Sequence, residues 1–555
     1  MNMSLRQSII FKYFSVKQTK KDKNPISTNR SFFDFALKEA NILIKKGKYE
    51  SAAIFLRYLS FFVWSSPTGY FCSWKLEQLL TIIGQHIIPK EKSVSPLIKD
   101  TDKLNILHVA TQIFEVGGHT QLLFNWTRLD NKNKHHIILT EQSLAHLPIE
   151  KIFKENYDLS LFSSLEDQSN NILEKATLLR KYASQYDLVV LQIHPSDVIP
   201  SIAFSTEDLP PVLFLNHADH LYWTGASAID ALLQIREFNI IEDKKRRGIL
   251  QEQFFLPIPI PDNESNVDIN EKRLYCREKL NIDKDKIVLL STGTEYKFKP
   301  NKTHNLFEII IPVLNENPNA VLFIVGISEK SNLAQQYAHS QIKYIGELHI
   351  TDLEIYEWAS DIYIETMPFS SFTAMLEVGL KKKAIHLMHN PNEIVKLFPN
   401  HSSTFKYSNS KEEWQKDLRQ LISNTNYRNH TGELQFEYLK KEYTTSAWIE
   451  KLNHIYDFAK TKKHKNTHND SHAYVKEDDI DFLLSITPHY KIGAYSFCLG
   501  LSYFQRLRFF RFLVQNKPQN ILLRKRDIIL ILSIVNPNLI IKLIERIFKI
   551  NIETI

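Results

Sequence analysis

The sequence predicts an α/β protein of two Rossmann-like domains facing each other across a cleft, with a helical N-terminal extension and a helical C-terminal tail. Three observations carry this. At 555 residues the chain exceeds what one hydrophobic core sustains and fits two large domains with appendages. Two series of short apolar segments alternate with helical stretches, the pattern of parallel sheets covered by helices. Between the two series stands Phe254-Phe-Leu-Pro-Ile-Pro-Ile-Pro-Asp262. Its three prolines suit neither a central strand nor a helix interior, so it marks a hinge.

Residues 1–30 read as a flexible N-terminus, and 31–100 as a helical extension. Phe35, Ala36, Ala40, Leu43 and Ile44 recur at helical spacings and, after Gly47-Lys48-Tyr49, so do Ala52, Ala53 and Leu56. The stretch resembles one tetratricopeptide hairpin, without a second copy at the 34-residue period. The first Rossmann-like domain, 101–256, is expected to hold strands at 104–110, 136–139, 188–193 and 212–216. The second, 257–458, is expected to hold strands at 287–291, 321–325, 342–345, 362–365 and 384–387. A polar stretch at 459–480 reads as a linker. Residues 481–555 form a tail of apolar, basic helices.

Composition excludes several classes. Hydrophobic content of 43% and charged content of 24% are ordinary for a soluble globular protein. Cys72, Cys276 and Cys498 are scattered, which argues against a disulfide framework and a cysteine zinc site. The N-terminus lacks a signal-peptide pattern, and no run of about 18 apolar residues exists, so the expected location is cytoplasmic. The net charge of +7 comes from the end of the chain. Residues 491–555 carry 11 Lys plus Arg against 3 Asp plus Glu. The balanced remainder disfavours a nucleic-acid partner.

The most informative segment is Glu365-Thr-Met-Pro-Phe-Ser-Ser-Phe-Thr-Ala-Met-Leu-Glu377. A strand runs into a turn at Pro368, then Ser370-Ser371-Phe372-Thr373 opens a helix carrying Glu377. A helix amino terminus offers unpaired N–H groups and a positive dipole end, which suits phosphate. A carboxylate one turn further in can accept both ribose hydroxyls. After the first strand of the same domain, Thr292-Gly-Thr-Glu-Tyr296-Lys297-Phe-Lys299 supplies a lysine, Lys297 or Lys299, that can reach a diphosphate. In the first domain, Gly117-Gly118-His119-Thr120 follows the opening strand. It is a tight turn or a place where backbone approaches a ligand, and His119 titrates near neutrality and suits a base. Asn216-His217-Ala-Asp219-His220-Leu-Tyr222-Trp223 follows another strand of the domain. His217, Asp219 and His220 suit sugar hydroxyls, with Trp223 as a stacking face. A metal reading of this cluster lacks a spaced fourth ligand, and no metal is expected. Asp230 and Arg236 are expected to form an ion pair.

Together these residues resemble a bacterial GT-B glycosyltransferase over roughly residues 104–451. Glu365…Thr373…Glu377 and Tyr296-Lys297-x-x-Pro300 resemble the O-linked N-acetylglucosamine transferase family. That resemblance implies that Lys297 binds the donor diphosphate, Thr373 its distal phosphate and Glu377 the ribose. The Gly117-Gly118 loop and the helix from Glu377 also resemble the group-1, glycogen-synthase-like transferases. Their signature has two glutamates eight residues apart, and here the first position is Phe369. Lys382-Lys383-Ala384 likewise replaces a Gly-x-Pro usual in both families. The resemblance implies a hexosyl- or N-acetylhexosaminyltransferase using a nucleotide-sugar, with UDP preferred, and no bound cofactor or divalent metal. The acceptor expected is a polysaccharide, lipid-linked or protein group, with retaining or inverting chemistry open. A catalytically inactive sugar-nucleotide-binding or interaction protein is the competing expectation. The tail, with Arg506, Arg508 and Arg511 among aromatics, has two readings: an anionic membrane surface or a helical subdomain packed on the body.

Overall fold

The computed structural model describes residues 25–87, 103–115, 118–148, 159–262, 268–399, 402–469 and 490–533. Two wholly parallel sheets organise it. The first contains β1 (Asn105–Ala110), β2 (Lys134–Leu139), β3 (Phe162–Ser164), β4 (Leu188–Gln192), β5 (Val212–Asn216), β6 (Ala231–Gln234) and β7 (Glu252–Phe255). Their spatial order is β3-β2-β1-β4-β5-β6-β7. The second contains β8 (Ile287–Thr292), β9 (Ala320–Val325), β10 (Ile342–Gly346), β11 (Ile362–Ile364) and β12 (Ala384–His386), in the order β10-β9-β8-β11-β12. In both sheets the order reverses beside the first strand, and that switch point opens the crevice where ligands bind at strand carboxyl ends. The central strands are buried on both faces, as helices on either side require: β4 and β5 are buried along their whole length.

All the expected strands are present, and β3, β6 and β7 are additional. Helix Thr445–Lys460, expected within the second domain, packs on the first. Its Trp448, Leu452, Ile455 and Tyr456 join Leu122, Trp126 and Leu188 in one core. Trp126 Nε1 donates to Tyr456 Oη at 2.8 Å, and Tyr456 donates to Asp130. The expected linker is also partly docked: His464 is buried, with Nδ1 2.9 Å from Asp230. Residues 470–480 lie outside the described residues.

Among the described residues the N-terminal extension opens with a helix at Pro25. Helices Pro25–Lys45 and Tyr49–Ser65 form the expected hairpin, and Trp74–Ile87 follows. The last helix lies so close to Ile199–Ala203 that a Cβ on Gly84 would stand 2.2 Å from the Ile202 carbonyl oxygen. Glu77, fully buried on the same helix, accepts from the Gly225 N–H at 2.7 Å and the Ser227 hydroxyl at 2.8 Å. The described part of the tail packs on this extension, supporting the subdomain reading there. Phe32 meets Phe497, Phe509 and Phe512, and Arg508 forms a two-point ion pair with Glu39. Residues 534–555 lie outside the described residues. No described helix is long and apolar enough to cross a membrane.

Candidate active site

β8 and β11 are parallel neighbours, with Ile362 opposite Leu289, so the loops leaving them open on one edge. The β8 loop is drawn in by Gly326: its φ is +102°, and a Cβ there would lie 2.3 Å from the Gly293 carbonyl oxygen. The Lys297 stem then lies over Gly293 and its Nζ is 5.8 Å from the centre of the Phe369 ring. Burial lowers the Lys297 pKa to about 8, and no carboxylate opposes that shift. An ammonium held this way attracts an anion.

The β11 loop supplies the complement. Helix Phe372–Gly379 starts after Ser371, which makes no side-chain cap bond; the Ser371 hydroxyl is bonded to Tyr363 instead. Thr373 and Glu377 are half-buried on this helix, one turn apart. The Glu377 carboxyl is pushed up to about 7, first by burial and then by Glu357, with Lys381 opposing. Ser370 lies buried beside Glu365, whose carboxylate accepts from the Met388 N–H at 2.7 Å. Burial raises Glu365 to about 7 as well. Tyr296 is exposed, its ring 5.8 Å from that of Phe369. Lys297, Tyr296 and the mouth of the 372–379 helix therefore gather around Phe369 on one sheet edge. Lys299, the other lysine of the loop, is exposed.

On the first domain, histidines crowd the carboxyl ends of the strands. His119 Nε2–H donates to the Gln112 carbonyl at 3.1 Å, and its ring stacks 5.5 Å from that of His217. His217 is lowered to about 3, chiefly by burial and then by His119. His194 is lowered to about 4 for the same two causes, and burial also lowers His119. These imidazoles are neutral at pH 7, and tying His119 Nε2–H to a carbonyl leaves Nδ1 as its proton acceptor. Gly118 opens helix Gly118–Leu129, and a Cβ on it would meet no atom within 4 Å. Gly117 lies outside the described residues.

Three expectations for the first domain are corrected. Trp223 is no stacking face: it is fully buried, edge-on to Phe214 and beneath the Arg247 guanidinium. Asp219 is not free for an acceptor, because it holds Arg236 Nε at 2.5 Å and Asn239 Nδ2 at 2.6 Å. The Asp230–Arg236 pair does not form, since Asp230 binds His464 and Lys465 instead. His217 and His220 do reach the cleft. With Asp219, still tied to Arg236, and with Phe369, Ser370, Phe372, Ile394 and Val395, they line a cavity of about 150 Å³ between the domains. His220 meets Phe369 edge-on at 5.7 Å. Sequence reasoning missed His194 and gave Arg236 only an ion-pair role. His194 follows the β4 apolar run in Gln192-Ile-His194-Pro, a signal of the same kind as that for His217. Among the described residues, no three His, Cys, Asp or Glu side chains gather to hold a metal.

No family model matches the sequence, and no curated protein matches it. Solved structures are similar in chain path. A mutant of the Thermobaculum terrenum O-GlcNAc transferase is 12% identical, covering 78% of this chain and 82% of its own, with a TM-score of 0.43. A glycosyltransferase from Rickettsia africae is 15% identical, covering 65% and 100%, with a TM-score of 0.48. An Anabaena protein solved with UDP and glucose is 12% identical, covering 64% and 100%, with a TM-score of 0.43.

Proposed function

We propose that this protein is a glycosyltransferase that moves a sugar from a nucleotide-sugar, with UDP as the preferred nucleotide, to a glycan, lipid-linked or protein acceptor. The observation that carries the reading is the convergence of an unpaired, half-buried lysine with an uncapped helix mouth above adjacent strands. In this reading the diphosphate lies between Lys297 and the N–H groups opening helix Phe372–Gly379, with Thr373 on the distal phosphate and Glu377 on the ribose hydroxyls. The bond from the anomeric carbon to the distal phosphate oxygen breaks, and the nucleoside diphosphate leaves with the electron pair. Lys297 stabilises the charge that develops there. An acceptor oxygen or nitrogen forms the new bond, and its proton passes to a base, the role this reading gives to His119 Nδ1. The sequence-based expectation of metal-free transfer is part of the proposal.

Incubation with a panel of UDP-, GDP- and other activated sugars tests it: one donor should release nucleoside diphosphate, and release from none would refute it. The pH dependence has a definite shape. Glu377 is pushed up to about 7 and ionises as pH rises through that value. Lys297 is lowered to about 8 and loses its charge as pH rises through that one. Since kcat/KM follows groups of the free protein, it should peak between about 7 and 8 and fall on both sides. A flat profile from 6 to 9 would contradict these assignments.

One observation favours the competing reading, a sugar-nucleotide-binding protein without turnover. Phe369 stands where the group-1 pattern has a carboxylate, and its ring lies between Lys297 and His220. Tight nucleotide binding with no donor turnover would establish it.

A further inference from the structure

The N-terminal hairpin brings an unexpected face to the cleft. Arg57, Phe61 and Trp64 fall at i, i+4 and i+7 of helix Tyr49–Ser65 and share one side. Arg57 reaches Glu141 beyond β2 at 2.6 Å. Trp64 meets His194 beyond β4 edge-on, ring centres 4.3 Å apart. Tyr490, from the C-terminal segment, stacks on Trp64 at 5.3 Å and 21°, and Phe61 closes the group at 5.3 Å from Trp64 and 6.0 Å from Tyr490. Tyr490 is 53% exposed. Both appendages of the chain thus contribute aromatic rings to a platform continuous with the histidine end of the cleft.

We propose that this platform binds the saccharide portion of the acceptor, a reading that rests on the transferase assignment and extends its acceptor side. Two features choose a saccharide. Aromatic faces carry negative partial charge and complement the C–H face of a pyranose ring. The adjoining histidines are neutral, and with Ser196, 3.1 Å from His194 Nδ1, they offer hydrogen bonds rather than charge. Arg57 is matched by Glu141, while Lys491, exposed beside Tyr490, is the charge that the anionic-vesicle arm of the experiment probes. Sugar rings on Tyr490 and Trp64 would lead the chain end past His194 towards His119 and His217.

The experiment compares the wild-type full chain with Tyr490→Ala and with Tyr490→Phe, the substitution at an exposed position leaving the core intact. The probe is an array of defined neutral oligosaccharides, used both for binding and as acceptors with the active donor. Tyr490→Ala should raise the acceptor KM about tenfold or more, leave donor hydrolysis unchanged, and be rescued by Tyr490→Phe. An unchanged acceptor KM overturns the proposal. So does binding to anionic phospholipid vesicles, lost in Tyr490→Ala, without binding to any saccharide. Should the wild type turn over no donor, the transferase reading fails separately. Binding on the array then decides: saccharide binding lost in Tyr490→Ala upholds the platform, and no binding overturns it.

Discussion

Lys297→Ala should slow sugar transfer by ~10²–10³, the cost of removing one aligned electrostatic donor from a developing oxyanion. The ammonium is held near Phe369 with no carboxylate partner, so its removal leaves no buried charge behind. Thermal unfolding of the variant should match the wild type. Nucleotide affinity should fall less than kcat, because charge on the departing phosphate grows during bond cleavage. Transfer at the wild-type rate would show that the diphosphate lies elsewhere.

Asp219→Ala should lower unfolding free energy by ~3–5 kcal/mol, the range for stripping one partner from a buried ion pair. The Asp219 carboxyl is held below its usual range: Arg236 and His220 outweigh the burial that opposes them. Its contribution is therefore present above the unfolded carboxylate pKa and is lost as pH falls through the depressed folded value. Removing it leaves the Arg236 guanidinium buried, with its Nη1 still donating to the Lys396 carbonyl of the second domain at 3.0 Å. Urea unfolding at pH 7 measures the effect. A loss under ~1 kcal/mol, the size of a solvent-exposed pair, would mean that Asp219 is not the partner this geometry makes it.

The long apolar strands and their alternation with helices were legible because burial on both faces leaves an uninterrupted hydrophobic signature. The Lys297 and Glu365–Glu377 segments were legible because each directly follows such a strand. Less was readable where strands are short. Ala231–Gln234 ends in Gln234, and Glu252–Phe255 begins with Glu252; neither has the length or the apolar content to stand out. Gln234 joins a buried network, donating to Asp243 and Gln253, while Glu252 stays exposed. The misassigned residues share one cause. Trp223, Asp219 and Arg236 sit beside a strand terminus, where sequence position suggests exposure. Part of what buries them comes from far along the chain: the Phe71 carbonyl anchors the Arg247 that covers Trp223, and the Arg236 contact at Lys396 lies in the other domain. The tail was ambiguous because an aromatic, basic stripe has the same periodicity whether it faces lipid or another helix. In the described part Phe497 and Phe509 bury against Phe32, as the subdomain reading expects.

That union of the chain's two ends has a consequence for biogenesis. Helix Pro25–Lys45 leaves the ribosome early, yet Phe497, Gln505, Arg508 and Phe509, which cover its Phe32 and Glu39, are separated from it by more than 450 residues. At about 5–20 residues per second of translation, the first helices wait roughly half a minute or more for the partners that complete their core. Over that interval Phe32 has Phe62 but not its C-terminal partners, and the face of Phe35 that stacks on Phe512 stays open. Shortening the polypeptide before Ala494 would make the exposure permanent.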